Sequence, residues 1–267
     1  MSRIRLEEMF SRVAGEDRAA FLPFMTTGLP DLDTTVELFQ AMAIAGADAF
    51  EMGIPYSDPL MDGPVIQAAS ERALAGGANV EFCLGAIEKV VAATGVPVLA
   101  MTYANPVFRI GPDEFCRRLA TSGASGLIVA DVPVEESRPL LEATKQHNLG
   151  LVLFVAPTSS DDRLVEVAEA DPVFVYAVAD LGVTGARAEV SERAHDLAAR
   201  LQQTTQRPVV AGVGISSPEQ AATFARLVDG VIVGTDLVRR VLEAESPAVA
   251  IDQAAAAVAA YRAALSR

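Results

Sequence analysis

Two carboxylates in one short stretch set the chemical question. Residues 50–64 read FEMGIPYSDPLMDGP. Glu51 sits inside an apolar run with the character of a buried strand, and Asp62 follows a segment rich in proline and turn residues. Alternation along DAFEMGI puts Ala49, Glu51 and Gly53 on one face. An acid partly withdrawn from water at such a strand end has its pKa raised. It can then give and take a proton near neutral pH. The competing reading is a structural acid paired with Arg or Lys, but no basic residue occupies a neighbouring strand end. Asp62 lies in MDGP, where the local reading is a turn residue bonding its own backbone.

A second group of residues points to an anion. AGVGIS (211–216) and IVGTD (232–236) close the last two of eight apolar runs. Glycine lets a backbone approach an anion closely, and exposed N–H groups beside a helix N-terminus suit phosphate. Either stretch alone is weak, because tight turns use the same residues; the two on consecutive strands predict a phosphate site. Neither GxxxxGK[ST] nor GxGxxG is present, which disfavours a nucleotide. DLGVTGA (180–186) has the composition of a lid that closes over substrate, or of an ordinary surface loop.

Other chemistries find little support. His147 and His195 stand in polar helical surroundings and read as solvated, and no His/Asp/Glu cluster suggests a metal. No lysine ends an apolar run, so a Schiff base is disfavoured, and Ser57 has no recognisable histidine partner. What remains is acid–base work by carboxylates on a phosphorylated small molecule.

The elements that must position these groups recur every 20–35 residues, a short apolar run followed by a helical stretch. The runs are 21–26, 48–54, 97–103, 126–132, 150–156, 173–179, 208–214 and 229–235. Most are continuously apolar, as strands buried on both faces of a parallel sheet are. Between them, segments such as VEFCLGAIEKVVAAT and PDEFCRRLATSGA carry apolar residues at spacings of three and four. Such alternation allows an open doubly wound sheet or a closed (β/α)8 barrel. The 267 residues suit a barrel as one domain over 1–267. Polar residues at the ends of the runs decide for the barrel: Glu51, Tyr103, Asp131, Thr158, Asp180, Gly214 and Thr235 would ring a single mouth.

Composition narrows the classes further. The chain is 51% hydrophobic, enough to fill a core, and its net charge of −14 argues against nucleic acid and anionic membranes as partners. Cys83 and Cys116 share no metal-ligand spacing and read as reduced core thiols. MSRIRLEEMF has no long apolar run behind its charges, so it does not read as a secretory signal, and no run approaches membrane-spanning length. The expectation is a soluble cytoplasmic protein.

Together, PFMTTGLPD, FEMGIPYSDPLMDGP, AMTYANPVF, VADVPVEES, LFVAPTS, YAVADLGVTGA, GVGIS and VGTDLV resemble the tryptophan synthase α-subunit family in order and spacing, from about Phe10 to Val241. The resemblance implies a TIM-barrel lyase that cleaves 1-C-(indol-3-yl)glycerol 3-phosphate to indole and D-glyceraldehyde 3-phosphate. It implies Glu51 as the acid–base residue at the indole carbon and the glycerol hydroxyl, and Asp62 as acceptor of the indole N–H. Tyr176 would lie beside the glycerol chain, and Phe24 and Leu127 against the indole. Thr184 would bond the aspartate of the catalytic loop, and Gly185, Gly214, Gly234 and Thr235 would cradle the phosphate. The resemblance also implies a β-subunit partner in an α2β2 heterotetramer, with pyridoxal phosphate only in that partner. The matching contact surface would be Pro55, Tyr56 and Asp58, the loop 105–108 with Asn105 and Pro106, and Val132, Pro133 and Glu135. Two stretches depart from the family pattern: Ala179–Asp180 precede the lid, and Asp236 follows Thr235. Asp236 reads as a carboxylate of the first helical turn, capping N–H groups; in the anion site it would weaken phosphate binding. A stand-alone indole-releasing lyase and a non-catalytic activator of the β subunit are the alternative readings.

Overall fold

A computed structural model describes residues 2–178 and 192–266. The chain opens with α1 (Ser2–Gly15), β1 (Ala20–Thr26), α2 (Thr35–Ile44), β2 (Phe50–Gly53), α3 (Pro64–Ala75) and α4 (Val80–Thr94). It continues with β3 (Val98–Thr102), α5 (Ala104–Ile110), α6 (Pro112–Thr121), β4 (Gly126–Val129), a 3₁₀ turn (Val134–Glu136) and α7 (Arg138–Gln146). Next come β5 (Gly150–Val155), α8 (Asp161–Glu169), β6 (Phe174–Val178) and α9 (Glu192–Thr204). The last elements are β7 (Val209–Gly212), α10 (Pro218–Ala225), β8 (Gly230–Val233), α11 (Thr235–Glu243) and α12 (Pro247–Ala264). The eight strands pair in chain order, all parallel, and β1 closes on β8. This is a single-domain (β/α)8 TIM barrel.

Each expected run contains one observed strand, shorter by a residue or more at one or both ends except in β1. β1, β2, β4, β7 and β8 are buried at every position, because helices cover one face and the barrel interior the other. The helices start where local chemistry satisfies their first N–H groups. Asn79, Ser160, Ser217 and Ser246 each accept a backbone N–H three residues on, at the starts of α4, α8, α10 and α12. Gly95 ends α4 in the left-handed conformation, with φ 69°.

The face where the strands begin carries a buried ion pair. Arg18, just before β1, donates to both carboxylate oxygens of Asp48, just before β2, at 2.6 and 2.7 Å. Asp48 also accepts the Phe21 N–H at 2.9 Å. Both side chains are about 5% exposed or less. The fork geometry matches guanidinium to carboxylate, and Arg18 holds the Asp48 carboxyl below its ordinary pKa against the opposing effect of burial. The opposite face, where the strands end, gathers the groups with chemistry.

One expected loop is a helix. Residues 105–108, expected as a loop, fall inside α5, whose seven residues begin directly after β3. Asn-Pro masks this helix in sequence, yet Pro106 sits in its first turn, where no intrahelical N–H is needed.

Candidate active site

β2 places Glu51 one residue pair from the neighbouring strands, opposite Phe24 on β1 and Leu99 on β3. Glu51 is 3% exposed, and its Oε2 has no hydrogen-bond partner among the described residues. Burial pushes its carboxyl up to about 8, and the nearby charge of Asp62 pushes in the same direction. The acid therefore exchanges its proton within the neutral range. It opens onto a cavity of about 540 Å³ that is mostly apolar, with Phe24, Asp62, Met101, Ala130, Phe154 and Tyr176 among its walls. Ile232, Gly234 and Thr235 from the β8 end, and Val213, Gly214 and Ile215 after β7, complete that side of the rim.

Asp62 lies in the loop between β2 and α3, and its carboxylate accepts the Tyr103 hydroxyl at 2.9 Å. The local turn reading is half right: the Asp62 amide donates to the Pro59 carbonyl at 3.0 Å, but the side chain reaches a different strand end. Burial raises the Asp62 carboxyl, and the Tyr103 bond opposes that rise. Tyr176 on β6 is 4% exposed, and burial holds its phenol well above the ordinary value. Its hydroxyl occupies space that only glycine leaves open, since a Cβ on Gly212 would stand 2.2 Å from Tyr176 Oη. Phe24 depends on the same device, because a Cβ on Gly53 would lie 2.8 Å from Phe24 Cζ.

The expected anion end has a built backbone. After β7, Val213 (φ 66°) and Gly214 (φ 87°) are both left-handed, a conformation costly for a β-branched residue. Gly234 precedes α11, and Thr235 is its first residue, so first-turn N–H groups open toward the cavity rim. Asp236 does not join that rim. Its Oδ2 accepts Tyr261 Oη at 3.1 Å and Arg240 Nε at 3.0 Å, and it is 8% exposed. The expectation that it caps helix N–H groups is corrected: the carboxylate is turned to α12 and the next turn of α11.

Of the residues expected around the substrate, Glu51, Asp62, Phe24, Tyr176, Gly214, Gly234 and Thr235 all line the one cavity. Leu127 does not; it is fully buried on β4, where Ile128 pairs with the cavity-lining Met101, so that Leu127 faces the other side of the strand. Thr184, Gly185 and Asp180 lie outside the described residues. Phe154, Met101 and Val213 were not anticipated. Alternation from Gly150 through Val152 to Phe154 carries the signal for Phe154. Among the surface residues, Tyr56, Asp58, Asn105, Pro106, Val132, Pro133 and Glu135 are at least partly exposed near the strand-end face, whereas Pro55 is buried and offers no surface. Val132, Pro133 and Glu135 also flank a shallow groove with Ala104 and Phe108.

A family model described as tryptophan synthase alpha chain matches residues 10–266. A tryptophan synthase alpha chain of Picosynechococcus sp. is 42% identical over 236 residues, covering 88% of this chain and 89% of that one. One from Arabidopsis thaliana is 38% identical over 247 residues, 92% of this chain and 90% of that one. Among solved structures, tryptophan synthase from M. tuberculosis in an aminoacrylate-bound form superposes with TM-score 0.87 at 37% identity, over 98% of this chain and 99% of that chain.

Proposed function

The chain belongs to the tryptophan synthase alpha chain family, and from that premise we propose how its own residues carry the reaction. It is a lyase that cleaves indole-3-glycerol phosphate, yielding indole and glyceraldehyde 3-phosphate. The observation that carries the residue assignment is the buried Glu51 carboxyl, unpartnered at Oε2 among the described residues, sharing one apolar cavity with Asp62.

Glu51 starts protonated, as burial favours. It gives its proton to C3 of the indole, and the positive charge that develops toward the ring N–H is met by the Asp62 carboxylate. The Glu51 carboxylate then takes the proton of the glycerol hydroxyl next to the breaking bond. The electron pair of that O–H bond becomes the aldehyde π bond, and the C–C pair returns to the ring as indole. Glu51 ends protonated again, so one residue serves both proton transfers. Phe24, Phe154 and Met101 supply an apolar wall for the ring, and Tyr176 borders the glycerol chain. The left-handed turn at Val213–Gly214 and the start of α11 hold the phosphate by backbone N–H groups. Gly185 and Thr184 are proposed to complete the phosphate and catalytic loops.

Chains of this family partner with β subunits, and pyridoxal phosphate belongs to the β chain. We propose an α2β2 assembly that uses Tyr56, Asp58, Asn105, Pro106, Val132, Pro133 and Glu135. An indole-release assay on Glu51→Gln and Asp62→Asn, with and without a β subunit, tests these assignments. Retained turnover in Glu51→Gln would remove its role; β-independent full activity would favour a stand-alone lyase.

A further inference from the structure

The loop that carries Asp62 has little apolar anchorage. Leu60 is 87% exposed and Met61 65%. Within the loop, Asp62 N–H reaches the Pro59 carbonyl, and Gln67 Nε2 donates to the Asp62 carbonyl at 2.8 Å. These bonds fix backbone only. The carboxylate is held by the phenol of Tyr103, the residue that follows β3. Tyr103 is 3% exposed, and its ring lies 5.4 Å from that of Tyr56, tilted by 31°. The same phenol oxygen accepts the Met61 N–H at 3.2 Å and donates to Asp62 Oδ2 at 2.9 Å. An amide N–H can only donate and a phenol has one proton. The Met61 contact therefore consumes a lone pair and leaves that proton directed at Asp62. One rigid hydroxyl thus grips two consecutive residues of an otherwise loose loop.

We propose that Tyr103 is the positioning residue of Asp62, orienting its carboxylate over the cavity and keeping it ionised for the indole N–H. The inference rests on the reading of Asp62 given above. The groups facing this pair are Glu51 on β2, Tyr176 on β6, Tyr56 in the loop after β2 and Asp131 after β4. Arg163 on α8 lines the same cavity and is ion-paired with Glu135. Partial burial thus acts against an ionised Asp62, and the Tyr103 hydroxyl acts for it.

Tyr103→Phe removes one oxygen and keeps the ring. Indole-3-glycerol phosphate cleavage by the full chain is measured against pH for the parent, Tyr103→Phe, Asp62→Asn and the double variant. Tyr103→Phe is expected to lower kcat/KM by about ten- to a hundredfold, as loss of a hydrogen bond to a charged group does. Its acidic limb is expected to move to higher pH, and the double variant to match Asp62→Asn within about twofold, because Tyr103 acts through Asp62. A Tyr103→Phe protein that melts like the parent and keeps its rate and pH profile overturns the proposal, as does a double variant whose losses multiply. An active Asp62→Asn instead overturns the underlying reading of Asp62, and the proposal with it. Where Tyr103→Phe does not fold, 3-fluorotyrosine at 103 puts the same question: its more acidic phenol is expected to move the acidic limb to lower pH, and an unmoved limb counts against the role.

Discussion

At the residue scale, Glu51 is both the reagent and a burden. Its carboxyl moves from the ordinary 4.5 to about 8 on folding. A group whose pKa is raised in the fold favours folding below its unfolded value, and that contribution is lost as pH rises toward the folded value. The ceiling is about 5 kcal/mol, reached near pH 8. Glu51→Gln is therefore expected to melt like the parent at pH 4 and at a higher temperature than the parent at pH 8, while turnover falls by roughly 10²–10⁴-fold. Thermal melts at the two pH values and an indole assay check both; a variant less stable at pH 8 contradicts the assignment. For the parent, kcat/KM should show a basic limb near pH 8, since the protonated form begins the reaction. Gly212 makes a second residue-scale prediction. Gly212→Ala puts a Cβ 2.2 Å from Tyr176 Oη, so the phenol must swing into the cavity. The expected result is a loss of roughly tenfold or more in kcat/KM in a folded protein.

At the element scale, the strands are legible and their inward faces are legible only where apolar residues alternate. Eight continuous apolar runs mark eight strands buried on both sides, which is why the expected and observed strands coincide. The same continuity hides which face is inward. GLIV has no alternation to read, so nothing local corrects the placement of Leu127 at the cavity that the family resemblance implies, although Ala130 is the residue that lines it. Long-range partners are illegible for a different reason. Asp62 meets a hydroxyl 41 residues away, and Asp236 one 25 residues away, so no local spacing encodes either bond. The Asp236 bond ties α11, whose first turn borders the cavity, to α12 on the barrel's outside. Asp236→Ala would leave the buried Tyr261 hydroxyl without its acceptor, a loss of about 1–3 kcal/mol. Because the contact braces the expected phosphate helix and does not touch the acids, KM is expected to rise severalfold while kcat stays within about twofold. Melting temperature and steady-state kinetics measure the two effects; an unchanged KM alongside the stability loss would mean the brace does not extend to the cavity.

At the scale of the whole molecule, the barrel separates its two carboxylate problems onto opposite ends. At the end where strands finish, Glu51 is buried with no ion pair among the described residues, and folding becomes less favourable as pH rises. At the end where strands begin, Asp48 is buried with Arg18, and its carboxyl is held below the ordinary 3.8. A lowered acid contributes stability above its unfolded value, and that contribution is lost as pH falls through the folded value. The two groups therefore close the stability window from opposite sides, one in acid below about 3.8 and one between 4.5 and about 8. The parent should be most stable in mildly acidic solution, on the acid side of neutrality. Removing the Asp48 carboxylate leaves the Arg18 guanidinium, 5% exposed, with Glu16 as its remaining carboxylate partner, and weakening such a buried pair costs at most about 3–5 kcal/mol at neutral pH. Asp48→Asn should accordingly lower the melting temperature at pH 7 and narrow its gap from the parent as acid protonates Asp48. Glu51→Gln should show the mirror image, gaining on the parent only as pH rises. Because the pairs lie at opposite ends and share no partner, the double variant should equal the sum of the two within about 0.5 kcal/mol. Melting curves of the four proteins from about pH 2 to 8, a range that spans both windows, measure this, and a double variant that departs strongly from additivity would mean the two ends are coupled through the barrel.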